Sequence, residues 1–288
     1  MPVDIDAAVI ANRRLSADYN VLALAAPEIA AAARPGQFVM IKTSGGPLLS
    51  GAPLLRRPFS IFEVLRDGDG APIGISIFNK RIGAGTTQLS RVEAGARLPL
   101  LGPLGRPFEP VDPPAEAWMV AGGVGLAPFV TLAAALAARG TTATLFYGAR
   151  RAEELYCVEL FDALGVSIVL STEDGSRGVR GRITVPLGEA LESRPLGQPV
   201  KLYVCGPTPM MHACAQLAHR HGRACDVSLE QVMGCGLGGC YSCVVLARPS
   251  TAPGAGGGDG GQPHHTRTCI DGPVFDAQRI VWDAVTGH

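Results

Sequence analysis

Trp118-Met-Val-Ala-Gly-Gly-Val-Gly-Leu-Ala-Pro128 is the stretch whose reading decides the fold. Residues 118–121 are apolar and read as a buried strand. They run into three glycines within four positions and then into a helical run, 128–139. Pro128 suits an early helical position, where a missing N–H costs nothing. Strand, glycine turn and helix make the first half of a parallel βαβ unit. The alternation continues downstream: 142–147, 167–171 and 201–205 read as strands, and 153–164, 184–192 and 209–220 as helices. Such a chain builds a parallel sheet with crossover helices, an α/β doubly wound nucleotide-binding domain placed at 111–224.

Gly122, Gly123 and Gly125 allow close backbone approach to a pyrophosphate, and the following helix N-terminus favours its charge. Their spacing is not the G-x-G-x-x-G of ordinary dinucleotide folds, and glycines at such turns also serve packing alone. A second turn, Tyr203-Val-Cys-Gly-Pro-Thr-Pro-Met210, again runs from strand into helix, through Cys205, Gly206 and Pro207. Ligands of doubly wound sheets lie at the carboxyl ends of strands near the switch point, so two such turns suit a dinucleotide.

Upstream, residues 1–110 hold short β-leaning segments at 21–25, 37–42, 60–64, 74–79 and 97–101, punctuated by glycine and proline turns. That pattern suggests a small barrel or sandwich. Arg57-Pro58-Phe59-Ser60 opens one strand, where an arginine, an aromatic ring and a hydroxyl suit a phosphate and a planar ring. From the physics alone, a surface arginine pair (Arg56, Arg57) beside a buried phenylalanine is the simpler reading. Gly83, Gly85, Thr86 and Thr87 join strand to helix and suit a second pyrophosphate.

Downstream, in 225–288, the periodicity stops and cysteine dominates. Cys235-Gly-Leu-Gly-Gly-Cys240-Tyr-Ser-Cys243, followed by Cys269, is the C-x4-C-x2-C…C spacing of plant-type [2Fe–2S] centres. Intervening glycines let the backbone bend around two irons and aim N–H groups at sulfur. A four-cysteine zinc site competes, although zinc sites usually show two separate short pairs. Cys157, Cys214 and Cys225 lack such spacing and read as small buried hydrophobes. The stretch 248–262, rich in Pro, Gly and Ala, reads as a flexible loop, with His264 and His265 as solvated loop residues.

The 288 residues carry 25 basic and 25 acidic side chains, a balance that calls for no nucleic-acid or membrane partner. Residues 1–14 lack an apolar signal region, and no 18-residue apolar run occurs. A cytoplasmic location is expected, in which eight cysteines serve as ligands or buried thiols rather than disulfides.

Taken together, the motifs resemble the ferredoxin–NADP reductase superfamily. Arg57-Pro-Phe-Ser60 is similar to its R-x-[YF]-S flavin motif and Gly83-Ala-Gly-Thr86 to its flavin pyrophosphate loop. Gly122–Pro128 and Cys205–Met210 are similar to its nicotinamide-side turns. Within the superfamily, the cysteine context Ser228-Leu-Glu-Gln-Val-Met-Gly-Cys235 and the tail Cys269-Ile-Asp-Gly-Pro-Val-Phe275 resemble the electron-transfer subunits of dihydroorotate dehydrogenase B. The resemblance covers nearly the whole chain. It departs at the gap between Cys243 and Cys269, which is longer than usual.

The resemblance implies a multi-domain α+β fold: a flavin-binding antiparallel β-barrel, the α/β domain and a small C-terminal [2Fe–2S] domain. It implies FAD, with Arg57 at the phosphates, Phe59 and Ser60 near the ring, and Gly85 and Thr86 at the pyrophosphate. It implies NAD, with Cys205 near the nicotinamide–flavin contact. Cys235, Cys240, Cys243 and Cys269 would hold the cluster. It further implies an FMN-containing dihydroorotate dehydrogenase catalytic subunit as partner, two of each in the assembly, with electrons passing from that FMN through cluster and FAD to NAD⁺. A (β/α)8 barrel for FMN needs roughly 250 residues, which this chain lacks. Related ferredoxin reductase or hydrogenase and sulfide-reductase subunits would carry the same motifs, and a zinc-bound scaffold is the rival of another class. Arg150 and Arg151, after the second α/β strand, suit a 2′-phosphate and leave NADP open.

Overall fold

The computed structural model describes residues 1–43, 53–249 and 262–285. Six antiparallel strands close a barrel in the order β1-β2-β5-β4-β3-β6. They are β1 (Val3–Arg14), β2 (Tyr19–Ala25), β3 (Phe38–Ile41), β4 (Arg57–Arg66), β5 (Pro72–Lys80) and β6 (Arg97–Leu104). Inward residues such as Val9, Leu22, Leu24, Val39, Ile61, Ile75 and Leu100 fill the interior. Ile29 of α1 (Pro27–Ala32) joins that core. Strand β1 is absent from the sequence expectations because charge masks its alternation. Asp4 and Asp6 face out and pair with Arg56 and Arg97, while Ala7 and Val9 face in. A short helix, α2 (Ala84–Leu89), packs beside β5.

The second layer system is built from β7 (Glu116–Gly122), α3 (Phe129–Ala138), β8 (Ala143–Ala149), α4 (Val158–Asp162), β9 (Ser167–Thr172), β10 (Val179–Arg180), α5 (Thr184–Glu192), β11 (Val200–Cys205), α6 (Thr208–Arg220) and β12 (Ala224–Ser228). These strands run parallel in the order β10-β9-β8-β7-β11-β12. Strand β7 leads to β8 on one side while β11 lies on its other side, so the switch point falls between β7 and β11. The helix expected at 153–164 shrinks to a 3₁₀ turn at Ala152–Glu154 and the short α4. Cys157 breaks it by adopting a left-handed backbone, φ 58°.

Past the sheet come β13 (Val244–Ala247), β14 (His264–Arg267) and β15 (Val274–Asp276). The boundary expected at 224/225 falls inside β12. Moreover, β15 returns to pair antiparallel with β12, burying Val227 and Phe275 in one core. The cysteine segment is therefore anchored into the nucleotide sheet at both ends. His264 and His265 are exposed as expected, but they belong to strand β14, paired with Ala247 and Leu246. Residues 250–261 of the expected glycine-rich loop lie outside the described residues. Phe62 stacks on Phe78, Tyr19 lies tilted against Phe78 and Tyr156, and Phe78 meets Tyr156 edge-on, tying the barrel to the nucleotide layer. Among the described residues no helix is long and apolar enough to cross a membrane.

Candidate functional site: a cysteine loop and glycine turns

The cysteine loop is shaped by glycine. Gly236 and Gly238 hold left-handed backbone, φ 74° and 81°, which side-chain-bearing residues rarely adopt. The distant Cys269 comes home because β13 and β14 pair: Val244 stands opposite Arg267, and Thr268 N donates to Cys243 O at 3.0 Å. Length between the strands does not disturb this pairing, since loop closure costs grow only slowly with length.

Cys240 has Cys235 as a neighbour, and Cys269 has Cys243 alongside with Cys235 in electrostatic reach. The Leu237 N–H points at Cys235 Sγ at 3.3 Å, and Cys240 Sγ lies 3.2 Å from the Ser242 hydroxyl. That hydroxyl holds the Cys240 thiol down at about 6, the form in which sulfur binds metal. Burial, with Cys243 alongside, pushes Cys269 up to about 12. Four thiols brought to one loop, with the Leu237 N–H aimed at sulfur, suit the ligand set of a [2Fe–2S] centre.

The glycine turns after β7 and β11 lock into each other. A Cβ on Gly125 would lie 2.2 Å from the carbonyl oxygen of Cys205. One on Gly122 would lie 2.7 Å from Met210 Sδ, and one on Gly206 3.0 Å from Gly122 N. For these three glycines the packing reading is sufficient. Gly123 differs: its φ is 55° and nothing stands within 4 Å of its would-be side chain. The chain then makes a 3₁₀ turn, Gly123–Leu126, before Pro128 caps α3. Cys205 ends β11 fully enclosed. Burial holds its thiol well above the ordinary range, with Glu230 adding to the effect.

Glu230 is the residue that sequence reading quoted but gave no role. It follows β12, whose Ser228 is the register partner of Cys205. The residue is exposed as a whole, yet burial of its carboxyl raises its pKa, opposed by Lys80. No spacing rule flags it, because its neighbours come from β5 and β11.

On the barrel, Arg57-Pro58-Phe59-Ser60 opens β4, all half-buried. The expected arginine pair splits. Arg56 donates to Asp4 at 2.8 Å, while the described partners of Arg57 are only the Leu55 and Arg56 carbonyls. Thr86 turns its hydroxyl inward, accepting from Ile82 N at 2.9 Å and Gly83 N at 3.0 Å, so it shapes the loop. Gly85 is buried against Thr43, where a Cβ would be 3.2 Å away. A glycine turn leading into α2 and a guanidinium on β4 are chemically suited to a phosphate-bearing group.

A closed antiparallel barrel beside a parallel nucleotide sheet, with a four-thiol loop between them, defines an oxidoreductase of the ferredoxin reductase type. Known proteins agree. Residues 119–216 match the oxidoreductase NAD-binding domain, and residues 230–281 match the iron-sulfur cluster binding domain of dihydroorotate dehydrogenase B. The dihydroorotate dehydrogenase B (NAD(+)) electron transfer subunit of Desulforamulus reducens is 34% identical over 96% of this chain and 98% of its own. That of Geobacillus kaustophilus is 34% identical over 94% and 96%. Among solved structures, an NADH-dependent reduced ferredoxin-NADP oxidoreductase superposes with TM-score 0.76 at 27% identity, over 96% of this chain and 90% of that one. A ferredoxin NADP+ reductase from Neisseria gonorrhoeae shares the fold, with TM-score 0.62 at 20% identity over 76% and 92%. The chain belongs to the family of electron transfer subunits of NAD-dependent dihydroorotate dehydrogenase B. It is an oxidoreductase subunit whose cofactor set is FAD, [2Fe–2S] and NAD, and it works with a catalytic partner subunit.

Proposed function

We propose that this chain seats FAD on β4 and α2, NAD over the turns after β7 and β11, and the cluster in the cysteine loop. Electrons would enter from an FMN-containing catalytic subunit that oxidises dihydroorotate, in an assembly with two copies of each chain. Bound FAD exchanges a hydride with nicotinamide and single electrons with the cluster, so it couples the two kinds of traffic. The observation that carries the reading is the position of β3. Its Met40 is the register partner of Pro58 in the flavin strand, and its side chain lies against Gly236 of the cysteine loop. One four-residue strand separates the two proposed redox sites.

The residues then divide the work. Arg57 would hold a phosphate, and Pro58, Phe59 and Ser60 would form the wall on which the ring rests. Gly83, Gly85, Thr86 and Thr87 would form the pyrophosphate cradle. Gly122, Gly125, Gly206, Pro207 and Pro128 set the two nucleotide turns, and Gly123 leaves open backbone for the dinucleotide. Cys205, a neutral thiol at working pH, packs where nicotinamide meets flavin without competing as an anion. Cys235, Cys240, Cys243 and Cys269 are the proposed iron ligands. The proposed division of the chain is a barrel at 1–110, a nucleotide domain at 111–224 and a cluster segment from 225, the last sewn into the sheet by β12 and β15.

The loop around the exposed Cys240 carries Leu237, 56% exposed, and Tyr241, 65%, with Ile270, 40%, against Gly238. Apolar side chains grouped in this way mark a docking surface, and here they support the catalytic subunit as occupant. A cytoplasmic setting suits the eight free thiols.

The test is the visible spectrum of the anaerobically purified chain before and after NADH. Flavin bands with a broad iron–sulfur shoulder, bleached by NADH, are expected. A protein reconstituted with FAD, iron and sulfide that stays inert to NADH would overturn the reading.

A further inference from the structure

Three asparagines cross the barrel wall in a row: Asn12 on β1, Asn20 on β2 and Asn79 on β5. Asn20 and Asn79 are register partners and are 1% and 0% exposed. Asn79 Nδ2 donates to Asn20 Oδ1 at 2.7 Å, and Asn20 Nδ2 donates to Asn12 Oδ1 at 2.6 Å. Both ends of this ladder finish on the same small helix. Asn79 Nδ2 also donates to Thr86 O at 3.0 Å. Asn12 Nδ2 donates to Leu89 O at 3.0 Å and to Val92 O at 2.8 Å.

Buried amides are costly unless satisfied, and the surrounding wall is aliphatic. Stability alone would be served as well by branched apolar side chains at these positions. What the amides supply is a fixed geometry for α2, which spans six residues, too few to hold its own shape. The carbonyl of Leu89, the last residue of α2, is held by Asn12 from across the wall, and Thr86 O accepts from Asn79 as well as from Ser90 N. Thr43 adds a tie on the other side, its hydroxyl 3.2 Å from Gln88 Oε1.

We propose that the Asn12–Asn20–Asn79 ladder is a positioning device. It sets α2, and with it the Gly83–Thr86 loop, at the depth and angle needed to receive the flavin pyrophosphate. The proposal rests on the reading of that loop as the FAD pyrophosphate cradle. A hydrogen-bonded chain transmits position well because each member is held by its neighbour, so loss of the middle residue frees both ends.

The experiment uses the full chain carrying Asn20→Leu and, separately, Asn12→Leu at the half-buried end of the ladder. FAD affinity is read by flavin fluorescence, α2 mobility by amide hydrogen exchange, and global stability by the urea midpoint. Expected for Asn20→Leu is FAD binding weakened about tenfold, with faster exchange over residues 84–92. Exchange in β7–β9 and the cluster absorbance should be unchanged. Should Asn20→Leu fail to fold, Asn12→Leu carries the test, with the same local exchange and a smaller loss of FAD. FAD affinity within about twofold of the parent, or faster exchange spread evenly over the chain with a lowered urea midpoint, would overturn the ladder's positioning role. Gly85→Leu, which places a side chain against Thr43, separates the cradle from the ladder. If it keeps FAD, the cradle reading is wrong. If it loses FAD while both asparagine variants keep it, only the ladder proposal fails.

Discussion

A Cβ built on Gly236 would stand 2.6 Å from Cγ of Met40 and 3.1 Å from Cδ1 of Leu104. The cysteine loop therefore rests directly on the barrel wall, on the strand whose other edge pairs with Arg57–Ser60. Any side chain at 236 must lift the loop from the wall and strain a left-handed backbone as well. Gly236→Ala is expected to cost roughly 2 kcal/mol and to lower cluster content, measured as iron per chain, while FAD content holds. Shortening the opposing side chain with Met40→Ala in the same protein should restore part of the iron, since it relieves the contact but not the backbone strain.

Gly123 and Gly125 stand two residues apart and are constrained by different forces. Gly125→Ala drives a methyl into the Cys205 carbonyl and should destabilise the chain by about 3 kcal/mol, the upper range for overpacking. Gly123→Ala meets only backbone strain and should cost about 1 kcal/mol. Its methyl would nevertheless fill the space proposed for the dinucleotide. Urea unfolding should therefore rank Gly125→Ala as the worse fold defect, with NADH titration showing a binding defect in Gly123→Ala.

Metal removal should expose thiols unequally. Raised pKa values keep a thiol protonated at pH 8, and protonated thiols do not attack alkylating agents. Burial pushes Cys157 up to about 11, Cys214 to about 12, and Cys205 and Cys225 well above the ordinary range. Cys243 and Cys269 are enclosed. Chelator-treated, folded protein should thus show two fast-reacting thiols, Cys235 and Cys240, with the other six released only by denaturant. Mass mapping of iodoacetamide adducts checks the assignment, and a larger fast group would mean that the loop does not hold its shape without iron.

Arg223 supports the opposite end of the nucleotide sheet. Its buried guanidinium donates to the carbonyls of Gln198 at 2.7 Å, Pro195 at 2.8 Å, Arg194 at 3.1 Å and Leu196 at 3.4 Å. Arg223→Met strands these carbonyls and should cost roughly 3 kcal/mol in urea unfolding. The residue precedes β12, whereas the proposed cofactor sites lie past the strands' carboxyl ends. Flavin and cluster spectra of the surviving folded protein should therefore match the parent.

Local chemistry made much of this protein legible from sequence. The alternation 118–220 announces the parallel sheet because buried strands and crossover helices must both be apolar on a fixed period. C-x4-C-x2-C marks the cluster loop because three ligands lie within nine residues and leave little freedom. Strand β1 escaped because its charges pair across the barrel surface, which a one-strand pattern does not show. The helix expected at 153–164 is shorter in the fold because one left-handed residue, Cys157, outweighs apolar periodicity.

What only the tertiary structure decided are relationships between residues far apart in the chain. Sequence alone named the four cysteines; the β13–β14 pairing decided that Cys269 meets Cys243 across the long intervening stretch. Sequence alone showed glycines at 122, 123 and 125; the packing of two turns decided that Gly125 serves Cys205 while Gly123 faces open space. Glu230 beside Cys205 and the asparagine ladder beneath α2 left no periodic trace. The reason is physical. Backbone geometry and ligand spacing act over a few residues and are written locally. Desolvation, side-chain hydrogen bonds and close approach depend on neighbours that only the folded chain supplies.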